Sequence, residues 1–238
     1  MKAILPLILL LALAGCRTPD ATKPAKPTSQ PQTRHSRSEP ITVMIHTIPP
    51  AGDVLFEGKP LGVSPTTLKV NSIAELSDRL KADNLPGNVL EQRIQILPGN
   101  KADVVLIFDP AYTKMAKILG LHKILVFDYH DEITFETASS KVKPEFQQLL
   151  AKQSELLKQY FKGMPIYICG HSDSVGDHSS NMALSLERAK SVSKILTSSG
   201  VPASSIKVHG FGPDFPIISN NTEAGRSRNR RIEIILGR

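Results

Sequence analysis

The sequence predicts an α+β fold in two parts: a small β-rich module, then a C-terminal domain whose helices pack on one sheet. From Ile41 onward, short runs of alternating apolar and polar residues are cut by Pro and Gly every few positions, as in short strands joined by tight turns. From Ile133 onward, apolar runs alternate with two long segments whose apolar residues keep helical spacing, giving strand, helix, strand, helix, strand, loop, strand. A hydrophobic content of 40% in 238 residues suffices for real cores, although residues 17–40 contain no large apolar side chain.

Residues 1–15, MKAILPLILLLALAG, have Lys2 at the start and an apolar run too short to remain in a bilayer as a helix, the pattern of a signal peptide. It ends in Leu13-Ala14-Gly15-Cys16, which resembles the lipobox of bacterial lipoproteins; the resemblance implies that Cys16 is acylated and becomes the new N-terminus. An ordinary secretory peptide with a chance cysteine is the alternative. Arg17 stands where an Asp, by resemblance to enterobacterial lipoproteins, signals inner-membrane retention, so the outer membrane is expected. Residues 16–40 then form a lipidated Cys and a Pro-rich tether, with an extended reach of roughly 75 Å at about 3.1 Å per residue. With Cys16 acylated, Cys169 has no partner for a disulfide or a metal and reads as a small buried hydrophobe.

In the β-rich module, residues 41–109, Glu57-Gly58 lies between apolar runs as a hairpin turn and Gly62-Val63-Ser64-Pro65 as a second turn. Together with Pro49-Pro50 these resemble the punctuation of the PEGA domain, although Ala51-Gly52 inverts that family's Gly-Ala order. Ser72 to Asp83 has helix composition, with Ile73, Leu76 and Leu80 near one face and Ser72 as cap. Gln92 to Leu97 and Asp103 to Phe108 read as a hairpin around Pro98-Gly99-Asn100. Residues 110–130 are expected to be a connector, with a short helix ended by Gly120 and a strand from Ile124 to Phe127.

The last domain, residues 131–238, opens with Ile133-Thr134-Phe135. Its first helix has Pro144 in the first turn and Phe146, Leu149, Leu150, Leu156, Leu157, Tyr160 and Phe161 on one face. The strand Ile166 to Cys169 leads into a polar loop with Asp173, then a helix from about Ser180 to Ser199 that carries Arg188 about two turns in; Leu184, Ala189, Val192 and Leu196 are its core positions. Strands Ile206 to His209 and Arg231 to Leu236 complete the chain. A carboxylate and a guanidinium on neighbouring rigid elements can grip a ligand bearing both an ammonium and a carboxylate, or can simply pair with each other.

Four motifs in order resemble the OmpA-like peptidoglycan-binding domain: Phe135, Glu136 and Ser139; Gly170-His171-Ser172-Asp173; Asn181, Leu184, Ser185, Arg188, Ala189 and Val192; and Asn220, Thr222, Gly225, Arg226, Asn229, Arg230 and Arg231. The resemblance implies a βαβαβ-β sandwich and a lipoprotein similar to the peptidoglycan-associated lipoprotein. It also implies that Asp173 and Arg188 bind the diaminopimelate of the peptidoglycan stem peptide. Glu136, Asn181, Arg226, Asn229 and Arg230 are implied as supporting residues, and His171 reads as structural.

The expected function is non-covalent binding of peptidoglycan by an outer-membrane lipoprotein facing the periplasm, with the β-rich module as spacer or docking surface. A wall-anchoring scaffold in a larger envelope complex, for secretion or motility, is one alternative, and a targeted wall hydrolase another. No catalytic set is found: Gly170 to Ser174 lacks the closing Gly of a nucleophile elbow, and Gly210-Phe211-Gly212 lacks the third glycine of a dinucleotide loop. No cofactor or metal site is expected. The formal charge of +7 suits an anionic neighbour such as peptidoglycan or lipid headgroups, and an exported chain makes nucleic acid a poor partner.

Overall fold

The computed structural model describes residues 39–76, 79–85, 87–97, 99–130, 134–136 and 138–237. The signal peptide, Cys16 and the tether as far as residue 38 lie outside the described residues, as does Ile133. The strands are β1 (Ile41–Ile48), β2 (Asp53–Phe56), β3 (Lys59–Val63), β4 (Thr66–Val70), β5 (Leu80–Asp83), β6 (Glu91–Leu97), β7 (Lys101–Ile107), β8 (Ile124–His130), β9 (Ile166–Gly170), β10 (Ile206–Gly210) and β11 (Arg231–Gly237). The helices are α1 (Lys114–Leu119), α2 (Pro144–Tyr160), α3 (His178–Ser198) and α4 (Glu223–Asn229). None of the described helices is long and apolar enough to cross a membrane.

The two expected hairpins form around left-handed residues: Glu57 and Gly58 have φ of 53° and 78°, and Gly99 and Asn100 have φ of 73° and 53°. Two successive residues at positive φ twist the turn in the sense of the flanking strands. The expected helix over Ser72 to Asp83 is replaced by a four-residue 3-10 turn, Ile73–Leu76, and by strand β5. Ser72 does cap, its Oγ accepting from Ala74 N–H, while Glu75 Oε1 accepts from Asn71 N–H. The helix stops because β5 supplies the backbone partner along one side of β2, running antiparallel from Asp53↔Asp83 to Phe56↔Leu80. Leu76 and Leu80 still bury, so the apolar positions were right and the local conformation was decided by pairing.

A larger correction concerns the boundary between the two halves. Eight strands form a single sheet in the order β10-β9-β11-β8-β6-β7-β1-β4, with a separate three-stranded sheet β3-β2-β5. Residues 124–130, expected in a connector, form the strand that joins the halves: β8 pairs antiparallel with β11 and parallel with β6. The physical reason lies in its side chains. Six of the seven residues of β8 are buried, so it needs cover on both faces and neighbours on both edges.

Leu125, Phe127, Tyr129, Ile232, Ile234, Ile166 and Ile168 form one face of the sheet, against Phe146, Leu150 and Leu157 of α2 and Ala189, Val192 and Leu196 of α3. Each of these large side chains contributes about 1.5–3 kcal/mol through burial. Val43, Ile45, Ile94, Val104 and Leu106 of the N-terminal strands extend the same core. Tyr160, expected on the buried face of α2, is 58% exposed instead. Across the sheet, Val126, Tyr167, Cys169 and Ile235 pack with Met115 and Ala116 of α1, so this smaller core is closed by the segment that precedes β8.

Candidate functional site

The loop carrying Asp173 leaves the end of β9, and α3 carries Arg188 back across the same sheet. Their separation is set by Gly170. A Cβ there would come within 2.8 Å of the carbonyl carbon of Ser185, on α3, and nearer still to its oxygen. Only glycine lets strand and helix approach this closely. Gly210, on the neighbouring β10, meets the same helix, where a Cβ would lie 2.5 Å from the backbone nitrogen of Leu186. Ser185 adds a polar stitch, accepting from Gly212 N–H at 2.9 Å, while Ser172 N–H donates to Gly212 O at 2.8 Å.

Helix α3 begins at Asp177, whose carboxylate accepts from Ser180 N–H. Hydrogen bonds from the Ser179 hydroxyl, then the Ser180 backbone and hydroxyl, hold this carboxyl down at about 2. The inward stripe of α3 is Ser185, Arg188, Ala189, Val192 and Leu196, so Arg188 stands among core positions and is only 4% exposed. Its partners include the Ser139 carbonyl, to which Nε donates at 2.9 Å, and the Phe135 ring, whose centroid lies 5.0 Å from Cζ. Together these fix the plane of the guanidinium.

Asp173 is buried, with 11% of its side chain accessible. Oδ1 accepts from Val175 N–H at 2.9 Å, which closes the turn, and Oδ2 accepts from Arg230 Nη1 at 2.7 Å. Among the described residues the ion-pair partner of Asp173 is therefore Arg230, not Arg188. Each carboxylate oxygen can accept more than one hydrogen bond, so neither contact exhausts Asp173. Arg230 also donates to Glu223, as does Arg226, and these two arginines hold the Glu223 carboxyl below its ordinary range. Asn229 is fully buried: its Oδ1 accepts from Ile217 and Ile218 N–H, and its Nδ2 donates to Ile218 O and Asn220 Oδ1.

The expected supporting residues thus divide by role. Arg230 reaches Asp173 directly, Arg226 and Asn229 brace the 217–223 segment, and Asn181 ties α3 to the loop by donating to Val175 O at 2.8 Å. Glu136 is exposed and takes part through its backbone, N–H to Lys141 O and C=O from Ser139 N–H. Cys16 is outside the described residues.

Sequence reasoning did not find Glu223 as the bridge between the two arginines, nor the charged cluster beneath the loop. In that cluster Glu233, wholly buried on β11, accepts at Oε1 from Arg231 Nε at 2.9 Å and from Arg93 Nη1 at 2.6 Å. Arg93, on β6, also reaches Asp128 Oδ2 at 3.0 Å and Glu91 Oε1 at 2.8 Å. The His171 ring completes the cluster, with Nε2 3.4 Å from Glu233 Oε2. Burial opposes ionisation of Glu233, but Arg231 and Arg93 outweigh it and hold the carboxyl well below its usual range. Burial, aided by Arg231, pushes His171 below its ordinary value and favours the neutral ring. For Glu91, burial outweighs Arg93 and the carboxyl is raised.

The model of the OmpA family matches residues 134–230 of this chain. A probable lipoprotein of Escherichia coli, YiaD, is 39% identical over 112 residues, which cover 47% of this chain and 51% of that protein. The outer-membrane lipoprotein YfiB of Pseudomonas aeruginosa is 34% identical over 110 residues, 46% of this chain and 65% of its own length. A peptidoglycan-associated lipoprotein of Mesorhizobium japonicum is 33% identical over 134 residues, 56% of this chain and 76% of the relative. The chain spans about half the length of the first of these relatives, and three-quarters of the last. With that last alignment and the family match covering the Asp173 loop, α3 and α4, the chain belongs to the OmpA family.

Proposed function

We propose that this chain is a lipoprotein of the outer membrane, anchored through acylated Cys16 and facing the periplasm, that binds peptidoglycan non-covalently and so tethers membrane to wall. The ligand is the diaminopimelate of the stem peptide: its ammonium adds to the Asp173 carboxylate and its carboxylate to the Arg188 guanidinium. The observation that carries the reading is the glycine-mediated approach of β9 to α3, which supports both side chains from rigid elements within the stretch matched by the OmpA family. The names of the relatives, peptidoglycan-associated lipoprotein and outer-membrane lipoprotein, support the ligand and the location. The chemistry is recognition rather than catalysis, and no cofactor enters it. In the N-terminal half, residues 41–109 are a PEGA-like module.

The test is co-sedimentation of the soluble chain from Arg17 onward with purified sacculi. Wild type is expected in the pellet, and Asp173→Ala and Arg188→Ala in the supernatant. Arg188→Lys keeps the charge but loses the planar fork, so it is expected to bind at least about tenfold more weakly, a hydrogen bond to a charged group being worth about 1.5–3 kcal/mol. Equal sedimentation of all four proteins would end the clamp.

A second reading, a wall-anchoring scaffold in a larger envelope complex, gains support from the eight-stranded sheet. Any partner seated on the N-terminal strands would be held at fixed orientation to the ligand loop. Pull-down from envelope extract distinguishes the two: a stoichiometric protein partner supports the scaffold, and its absence leaves the lone tether.

A further inference from the structure

The charged cluster beneath the loop crosses the line between the two halves. Arg93 belongs to β6, in the N-terminal half, yet two of its three carboxylate partners, Asp128 on β8 and Glu233 on β11, lie in the two strands between β6 and β9, which leads into the ligand loop. Glu233 in turn is the acidic neighbour of His171, the second residue of the Gly170-His171-Ser172-Asp173 turn. His171 is held from three sides. Its N–H donates to Arg231 O, its ring stacks on Phe211 with centroids 5.5 Å apart, and its Nε2 faces Glu233. Asp173 follows two residues later.

We propose that Arg93 is a positioning residue for the ligand loop: by holding Glu233 from the N-terminal half, it fixes the His171 ring and with it the turn that presents Asp173. The inference rests on the peptidoglycan-binding reading. Its physical basis is charge balance in a buried space. Arg93 faces three carboxyl groups, Glu91, Asp128 and Glu233, all of them almost or wholly inaccessible, and Arg231 shares Glu233 with it. Without Arg93, Glu233 keeps Arg231, while Glu91 and Asp128 lose their guanidinium partner. The nearest group able to supply a compensating positive charge is His171, at 3.4 Å from Glu233. The charged groups that act on it are Arg231 and Glu233 on β11 and Asp128 on β8, with the Phe211 ring against its face. A protonated ring would be drawn onto Glu233 Oε2 and away from Phe211, and the turn leading to Asp173 would move with it.

The experiment uses the chain from Arg17 onward, as wild type, Arg93→Met, Arg93→Lys and Asp173→Ala, in sacculus co-sedimentation together with an NMR titration of the His171 ring. The expected result is that Arg93→Met folds with the same circular dichroism but binds sacculi several-fold to tenfold more weakly. Its His171 ring titrates at higher pH than in wild type, and Arg93→Lys restores part of both properties. Binding by Arg93→Met equal to wild type, with a His171 ring that titrates as in wild type, would make Arg93 a structural strut and overturn the proposal. If Arg93→Met does not fold, the variant E91Q/R93M/D128N, which also removes two of the carboxylates Arg93 serves, is read in the same assays. There, wild-type binding refutes the proposal and weakened binding supports it. Failure of the binding reading itself is separate, because it shows as wild-type sedimentation of Asp173→Ala.

Discussion

Substituting Gly170 by alanine adds one methyl at the point where β9 touches α3. That methyl would overlap the Ser185 carbonyl, so strand and helix must part by roughly 1 Å, since cores resist even one added methylene. Overpacking against side chains costs about 1–3 kcal/mol. Here the obstacle is backbone on both sides, so a loss near the upper end, about 3 kcal/mol, is expected. For a domain of this size each kcal/mol lowers the melting temperature by about 2–4 °C, giving a fall of roughly 6–12 °C. Arg188 lies one turn beyond Ser185 on the same helix, so the displacement also separates it from the Asp173 loop. Thermal melts by circular dichroism measure the first effect, and sacculus binding at a temperature where the variant is folded measures the second. A melting temperature within 2 °C of wild type, with unchanged binding, would refute the claim that this glycine sets the geometry of the site.

Two further predictions rest on buried polar groups. Asn229→Ala removes the buried amide that accepts from the Ile217 and Ile218 N–H groups and donates to Ile218 O and Asn220 Oδ1, and at about 0.5–1.5 kcal/mol for each hydrogen bond lost it should destabilise the chain by about 3 kcal/mol in urea unfolding. A change of less than 1 kcal/mol would mean that the 217–223 segment holds itself. His171 governs the second: its pKa in the folded chain is pushed below the ordinary 6.5 by burial, so near and below that pH the unfolded chain binds more protons than the folded one. Its contribution is fully present above 6.5 and is lost as pH falls below it, so the melting temperature should drop between pH 7.5 and 5.5. In His171→Gln the drop should be smaller, and parallel slopes in the two proteins would exclude His171 as the source.

The parts of the fold written in local chemistry were legible. Positive-φ pairs at Glu57-Gly58 and Gly99-Asn100, Pro144 at the start of α2, and Gly120 at the end of α1 all act through their own backbone preferences. Ser72 to Asp83 was misread because helix composition is a weak local preference, and β2 offered its backbone a stronger partner. The single sheet was invisible for a related reason: parallel pairing of β6 with β8 joins residues about thirty positions apart, and nothing in either strand names the other. In the site, Arg188 stood out as a charge on an apolar helical stripe. The Asp173–Arg230 pair spans 57 residues and left no such mark. Nothing in the sequence singles out Glu91 and Arg93, because their burial depends on strands that arrive much later in the chain.

The continuity of the sheet has a mechanical side. Under the proposed tethering, tension enters where the chain leaves residue 39 and exits through the loop after Gly170. Following the register from Thr42 to Lys101, from Gln95 to Asp128 and from Ile232 to Gly170, both points sit at the same end of the sheet. The load path therefore crosses five strand-to-strand steps, about 24 Å at roughly 4.8 Å each, and pulls neighbouring strands apart from one end. Backbone ladders loaded this way open one bond at a time. The guanidinium of Arg93, gripping carboxylates on β8 and β11 as well as on its own strand, acts there as a rivet through three adjacent strands.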